Sequence, residues 1–94
     1  MQFTWDEHKN AINKAKHGVS FETAKLVFND PLHISIQDRH ENGEHRWQTL
    51  GLINGLLVLL VAHTIHEENN IEMIRIISAR KATKQERGCY EQAH

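Results

Sequence analysis

One cysteine, one proline and five glycines in 94 residues set the first limits on this chain. A lone Cys89 can close no intramolecular disulfide, and a reducing cytosol is the expected compartment. So little proline and glycine excludes collagenous and low-complexity classes. The longest apolar run, Gly51 to Ala62, is too short to span a bilayer as a helix and is broken by Asn54-Gly55. With no charged-then-apolar leader either, membrane association is not expected. Net charge is also nearly absent, at −1 with neutral histidines. That excludes strong non-specific nucleic-acid binding by the whole surface and leaves any such contact to local patches.

What is present is ordinary globular material, 39% hydrophobic and 24% charged, enough for one modest core. No repeat or linker divides it, so residues 1–94 are expected to form a single domain. Eight histidines would make the chain more cationic below neutral pH.

Gln2 to Trp5 alternates weakly and predicts a short edge strand. Asp6 is placed to cap a helix running to His17, which Gly18 stops. Within it Ala11, Ile12 and Ala15 gather on one side, and Lys9, Asn13, Lys16 and His17 form a separate polar arc, a working face or a solvated one. Ser20 caps a short second helix with Val19 stapled to Ala24 and a stripe of Ala24, Val27 and Phe28, ended by Asp30-Pro31. Leu32 to Asp38 reads as a half-buried strand with Leu32, Ile34 and Ile36 inward, and Arg39 to His45, with Asn42-Gly43, as a polar loop. Asn54-Gly55 predicts a tight hairpin between Trp47–Ile53 and Leu56–Thr64, whose second strand is apolar on both faces and so belongs mid-sheet. Glu67 to Asn70 turns into a strand from Ile71 to Ala79, and Thr83 with Glu86 forms a capping box for a last helix. The expected fold is α+β: an antiparallel sheet with two N-terminal helices and one C-terminal helix packed on it.

An arginine inside an isoleucine-rich strand needs an anion. Arg75 shares a face with Met73 and Ile77, and Arg80 is expected just past the strand end. Their planar forks suit a phosphate, and a structural ion pair of Arg75 with Glu44 or Glu72 is the equal alternative. Lys9, Asn13, Lys16 and His17 hold the inventory for gripping a phosphate and moving a proton, though His17 before a glycine cap also suits the terminal carbonyls. Glu44-x-Arg46 puts a carboxylate and a guanidinium on one side of a strand, as base and cation or as a surface pair. Tyr90 offers a stacking face or a hydroxyl, or packs its helix on the sheet. His63-x-x-His66 is a poor metal motif because positions three apart on a strand face opposite ways, and no metal or cofactor is expected.

These segments together carry a family likeness. Trp5-Asp6-Glu7, Lys9, Asn13, Lys16-His17-Gly18-Val19-Ser20-Phe21, Asp30-Pro31, Glu44-x-Arg46, Gly51, and Ile74 to Thr83 with Glu86-Arg87 and Tyr90 closely resemble the BrnT toxins of bacterial type II toxin–antitoxin systems. The resemblance implies a RelE-like ribonuclease fold and RNA cleavage that halts translation. It also implies neutralisation by a BrnA-type ribbon-helix-helix antitoxin, in a heterotetramer of two toxins and two antitoxins that reaches operator DNA only through the antitoxin. The family-like functional positions retained are Lys9, His17, Glu44, Arg46, Arg75, Arg80 and Tyr90. They suggest His17 or Glu44 as base, Arg75 and Arg80 on the developing phosphoryl charge, Lys9, Lys16 and Arg46 along the RNA backbone, and Tyr90 as proton donor or stacking surface. His66 stands where similar sequences often carry arginine, exchanging a permanent charge for a titratable one. The rival reading is a non-catalytic module, a decayed toxin whose arginines bind a DNA-binding protein.

Overall fold

The computed structural model describes residues 1–41 and 43–94. Its strands are β1 (Gln2–Thr4), β2 (Ile34–Glu41), β3 (Glu44–Ile53), β4 (Leu57–Glu68) and β5 (Ile71–Lys81), and its helices α1 (Glu7–His17), α2 (Phe21–Ala24), which continues as a 3₁₀ segment Lys25–Asn29, and α3 (Lys84–Gln92). The strands form one sheet in the order β1-β5-β4-β3-β2. β2 to β5 pair antiparallel as the alternation and turns predicted, while β1 joins β5 in parallel at the edge, which makes the sheet mixed. Among the described residues no helix is long and apolar enough to cross a membrane.

Local signals place most boundaries. Asp6 caps α1 through hydrogen bonds from the His8 and Lys9 amides, and Gly18 ends it at φ 73°, where a side chain would be strained. Ser20 caps α2, and Thr83 with Glu86 closes a reciprocal capping box on α3. Asn54 and Gly55, at φ 52° and 67°, turn β3 into β4 as the sequence predicted.

β4 lies mid-sheet, and its apolar run serves two cores. Leu59 and Val61 meet Phe21, Ala24, Val27, Ile74, Ile76 and Ala79 beneath the N-terminal helices. On the other face Val58 and Leu60 meet Leu50, Ala82 and Tyr90 beneath α3. Each such aliphatic side chain contributes about 1.5–3 kcal/mol by leaving water. Gly51 lets β3 pack directly on the 3₁₀ segment, since a Cβ there would stand 2.6 Å from the Val27 Cβ.

Three local expectations are corrected. Asn13, expected on the polar arc with Lys9, Lys16 and His17, is buried together with Asn10, while Ala11, Ile12 and Ala15 face solvent, with Ile12 52% exposed. Leu32 lies in a turn and Ile36 is exposed, because β2 is the outer strand and only Ile34 packs on the α3-side core. The expected loop from Arg39 to His45 is strand instead: β2 runs to Glu41 and β3 begins at Glu44, with those two residues in register and Asn42 outside the described residues.

Candidate active site

Two asparagines decide where α1 sits. Asn13 donates from Nδ2 to the carbonyls of Ala79 (2.8 Å) and Val19 (2.9 Å), and its Oδ1 accepts from the Ala79 amide (3.2 Å). The side chain thus pairs with β5 as a neighbouring strand would, covering its edge beyond the three residues paired with β1. Asn10, one turn earlier, accepts from the Phe21 amide and donates to Glu22, both at 2.8 Å. With α1 so placed, Lys9, Lys16 and His17 line a cleft of about 210 Å³ with Ile77 and Ser78 of β5. Asn13→Ala would strand a buried amide and two carbonyls, so it is expected to lower unfolding free energy by about 2–4 kcal/mol in urea titration. A loss under about 1 kcal/mol would show that these groups find other partners.

On the opposite face the registers Arg46↔Thr64 and Thr64↔Arg75 set three side chains in a row across β3, β4 and β5. Neighbouring strands are about 4.8 Å apart, so the two arginines start about 10 Å apart. Glu44 lies on the same face as Arg46 and reaches across β4, accepting at 2.7 Å from Arg75 Nη2. Both side chains remain about two-fifths exposed, 41% for Arg75 and 42% for Glu44, so the pair is worth at most about 1 kcal/mol. This is the ion pair that the sequence offered as the alternative to a phosphate clamp.

Counting by twos along a regular strand puts Arg75 and Arg80 on opposite faces. A bulge intervenes: Ala62 pairs with Ser78 and His63 with Ile76, which gives β5 one extra residue and returns Arg80, opposite Leu60, to the face of Arg75. Arg80 therefore lies within the strand, not past its end as expected. It is engaged with α3, its guanidinium donating to both carboxylate oxygens of Glu86 at 2.8 and 3.0 Å. Those bonds, with a further one from the Thr83 amide, hold Glu86 down at about 2 and raise Arg80.

Tyr90 is buried and fastens the other end of α3. Its hydroxyl donates to Asp30 Oδ2 at 2.5 Å, and that hydrogen bond, with burial, pushes it up to about 12. Burial raises Asp30, but the hydrogen bonds from Tyr90 and the Leu52 and Leu32 amides outweigh it and leave the carboxyl lowered. The structure thus gathers Glu44, Arg46 and Arg75, gathers Lys9, Lys16 and His17 separately, and gives Arg80 and Tyr90 internal partners beneath α3. Asp30, which the sequence marks as a helix stop and as part of the family likeness, is the anchor for Tyr90, a role that neither reading assigned to it.

Of the histidines, His63 is fully buried, with Nε2 2.7 Å from Thr49 Oγ1, which in turn lies 2.7 Å from Ser35 Oγ. His66 faces solvent beside Glu68 at 3.6 Å. Among the described residues no three histidine, cysteine, aspartate or glutamate side chains converge as a metal would require.

Comparison with known proteins adds the family. Residues 5–86 match the model described as the ribonuclease toxin, BrnT, of type II toxin–antitoxin systems. The fold is similar to the crystal structure of the Brucella abortus ribonuclease toxin, BrnT, with a TM-score of 0.68 and 26% identity over 89% of this chain and 99% of that one. No curated protein matches by sequence.

Proposed function

This chain belongs to the BrnT family of type II toxin–antitoxin systems, and from that we propose that it is a metal-independent endoribonuclease whose cutting of RNA halts translation. The observation that supports this most is the Glu44–Arg75 pair beside Arg46 on the half of the sheet that α3 leaves open. A carboxylate and two guanidiniums there lie within reach of one phosphodiester.

In this reading a base removes the proton of a ribose 2′-hydroxyl, the oxygen attacks the adjacent phosphorus, and the P–O5′ bond breaks as the 5′-oxygen takes a proton from water, leaving a 2′,3′-cyclic phosphate and a 5′-hydroxyl. Glu44 is the nearer base. His17 is the second candidate, since Ser78 of its cleft lies three residues along β5 from Arg75, about 10 Å. Arg75 meets the charge that develops on the phosphoryl oxygens, and Arg46, Lys9 and Lys16 hold the flanking backbone. Arg80 and Tyr90 contribute through α3, which they fix at the border of the open half-sheet. A BrnA-type ribbon-helix-helix antitoxin covers this face in a complex of two toxins and two antitoxins, and that antitoxin alone contacts operator DNA. The compartment is the bacterial cytoplasm.

The test is incubation of the purified chain with cellular RNA, with and without EDTA. Shortened RNA in both samples is expected. Shortening abolished by EDTA overturns metal independence, and intact RNA beside growth arrest in cells points to a module that acts by binding.

A further inference from the structure

Among the described residues two buried side-chain atoms lack a hydrogen-bond partner, His63 Nδ1 and Thr64 Oγ1. Thr64 is the more informative because of where it lies. It is 1% exposed on the half of the sheet that α3 does not cover. Its neighbours in register are Arg46 on one side and Arg75 on the other, and the Glu44–Arg75 pair arches over β4 from β3 to β5. A buried hydroxyl between two arginines with nothing to bond is a cost to the fold, and valine, equal in shape and equally suited to a strand, would avoid it.

We propose that Thr64 is a phosphate-contacting residue, and that Glu44 occupies Arg75 in the free protein as an internal stand-in for the phosphodiester that displaces it. The inference rests on the ribonuclease reading above and names how that site takes its substrate. The guanidinium fork accepts a carboxylate or a phosphate in the same geometry, so the exchange needs no backbone movement. The pair is exposed enough that opening it costs little. Once it opens, one non-bridging oxygen takes the Arg75 fork and another accepts the proton of Thr64 Oγ1. Glu44, released from Arg75, is then a free carboxylate beside the ribose hydroxyl. Substrate arrival thereby uncovers the base.

The experiment measures binding of a labelled 2′-O-methyl RNA hexanucleotide, which cannot be cleaved, by fluorescence anisotropy at low ionic strength, together with thermal midpoints. Thr64→Val is expected to weaken binding about tenfold while raising the midpoint, and Thr64→Ser to bind as the wild type does. Glu44→Gln, which removes the internal competitor's charge, is expected to tighten binding even where it abolishes cleavage. Unchanged binding by Thr64→Val, or a lowered midpoint, would overturn the role of Thr64. Unchanged or weaker binding by Glu44→Gln would overturn the stand-in. If the wild type cleaves RNA but these variants bind alike, the ribonuclease reading survives and this inference fails. If the variants shift as expected and no RNA is cut, the phosphate site stands and the ribonuclease reading fails. A wild type that binds no hexanucleotide overturns this inference, and the cleavage assay alone then decides the ribonuclease reading.

Discussion

Arg75→Ala is expected to lower RNA cleavage by about 10²–10³-fold while leaving unfolding free energy within about 1 kcal/mol of the wild type. The two halves of that expectation have separate grounds. A positioned donor acting on charge that appears only in the transition state is worth this much in other enzymes, whereas the resting Arg75–Glu44 pair is two-fifths exposed and contributes little to stability. Arg75→Lys should recover only part of the loss, because an ammonium offers a point charge where the guanidinium offers a fork. Cleavage rates on a defined RNA, with urea titrations of each variant, would check this. A loss of activity that tracks a loss of stability would place Arg75 in the scaffold instead.

The second large effect is on acid stability and comes from His63. Burial beneath Phe28, whose ring lies 5.0 Å away, depresses its pKa from 6.5 to about 4. The unfolded chain therefore takes up a proton before the folded one does. The stability held by the neutral ring is fully present above pH 6.5 and drains as the pH falls towards 4, a total of about 3 kcal/mol, of which about 2 is gone by pH 5. Urea midpoints at pH 7, 6 and 5 should fall steeply for the wild type and much less for His63→Gln, which keeps a polar group near Thr49. Equal slopes would show that other groups govern the response. Glu86, held at about 2 by Arg80, loses its contribution only below about pH 4.5 and lies outside that window.

These effects also mark the limit of what the chain discloses unfolded. Capping residues and the Asn54-Gly55 turn act within four residues of themselves, so Asp6, Gly18, Ser20, Thr83 and Glu86 could be placed by eye. Ion-pair partners came through in part, since Glu44 was one of two candidates for Arg75. The orientation of α1 did not, because its docking is made by asparagine amides on a distant strand while its small apolar residues face solvent. A period-of-two count along β5 could not foresee the bulge that carries Arg80 to the side of Arg75. The edge position of β2 likewise leaves Ile36 in water despite a pattern that suits burial.

The parallel pairing of β1 with β5 has a consequence for how the molecule comes into being. Phe3 meets Ile74, and Asn13 meets Ala79, across some seventy positions of chain. During synthesis the first helix must wait, with its lysines and histidine in place and its docking edge still unmade, until β5 has been made. Every nascent chain that stops short of β5 is therefore without Arg75 and the strand that seats α1. A chain proposed to arrest translation would reach working form only after the ribosome has already made β5.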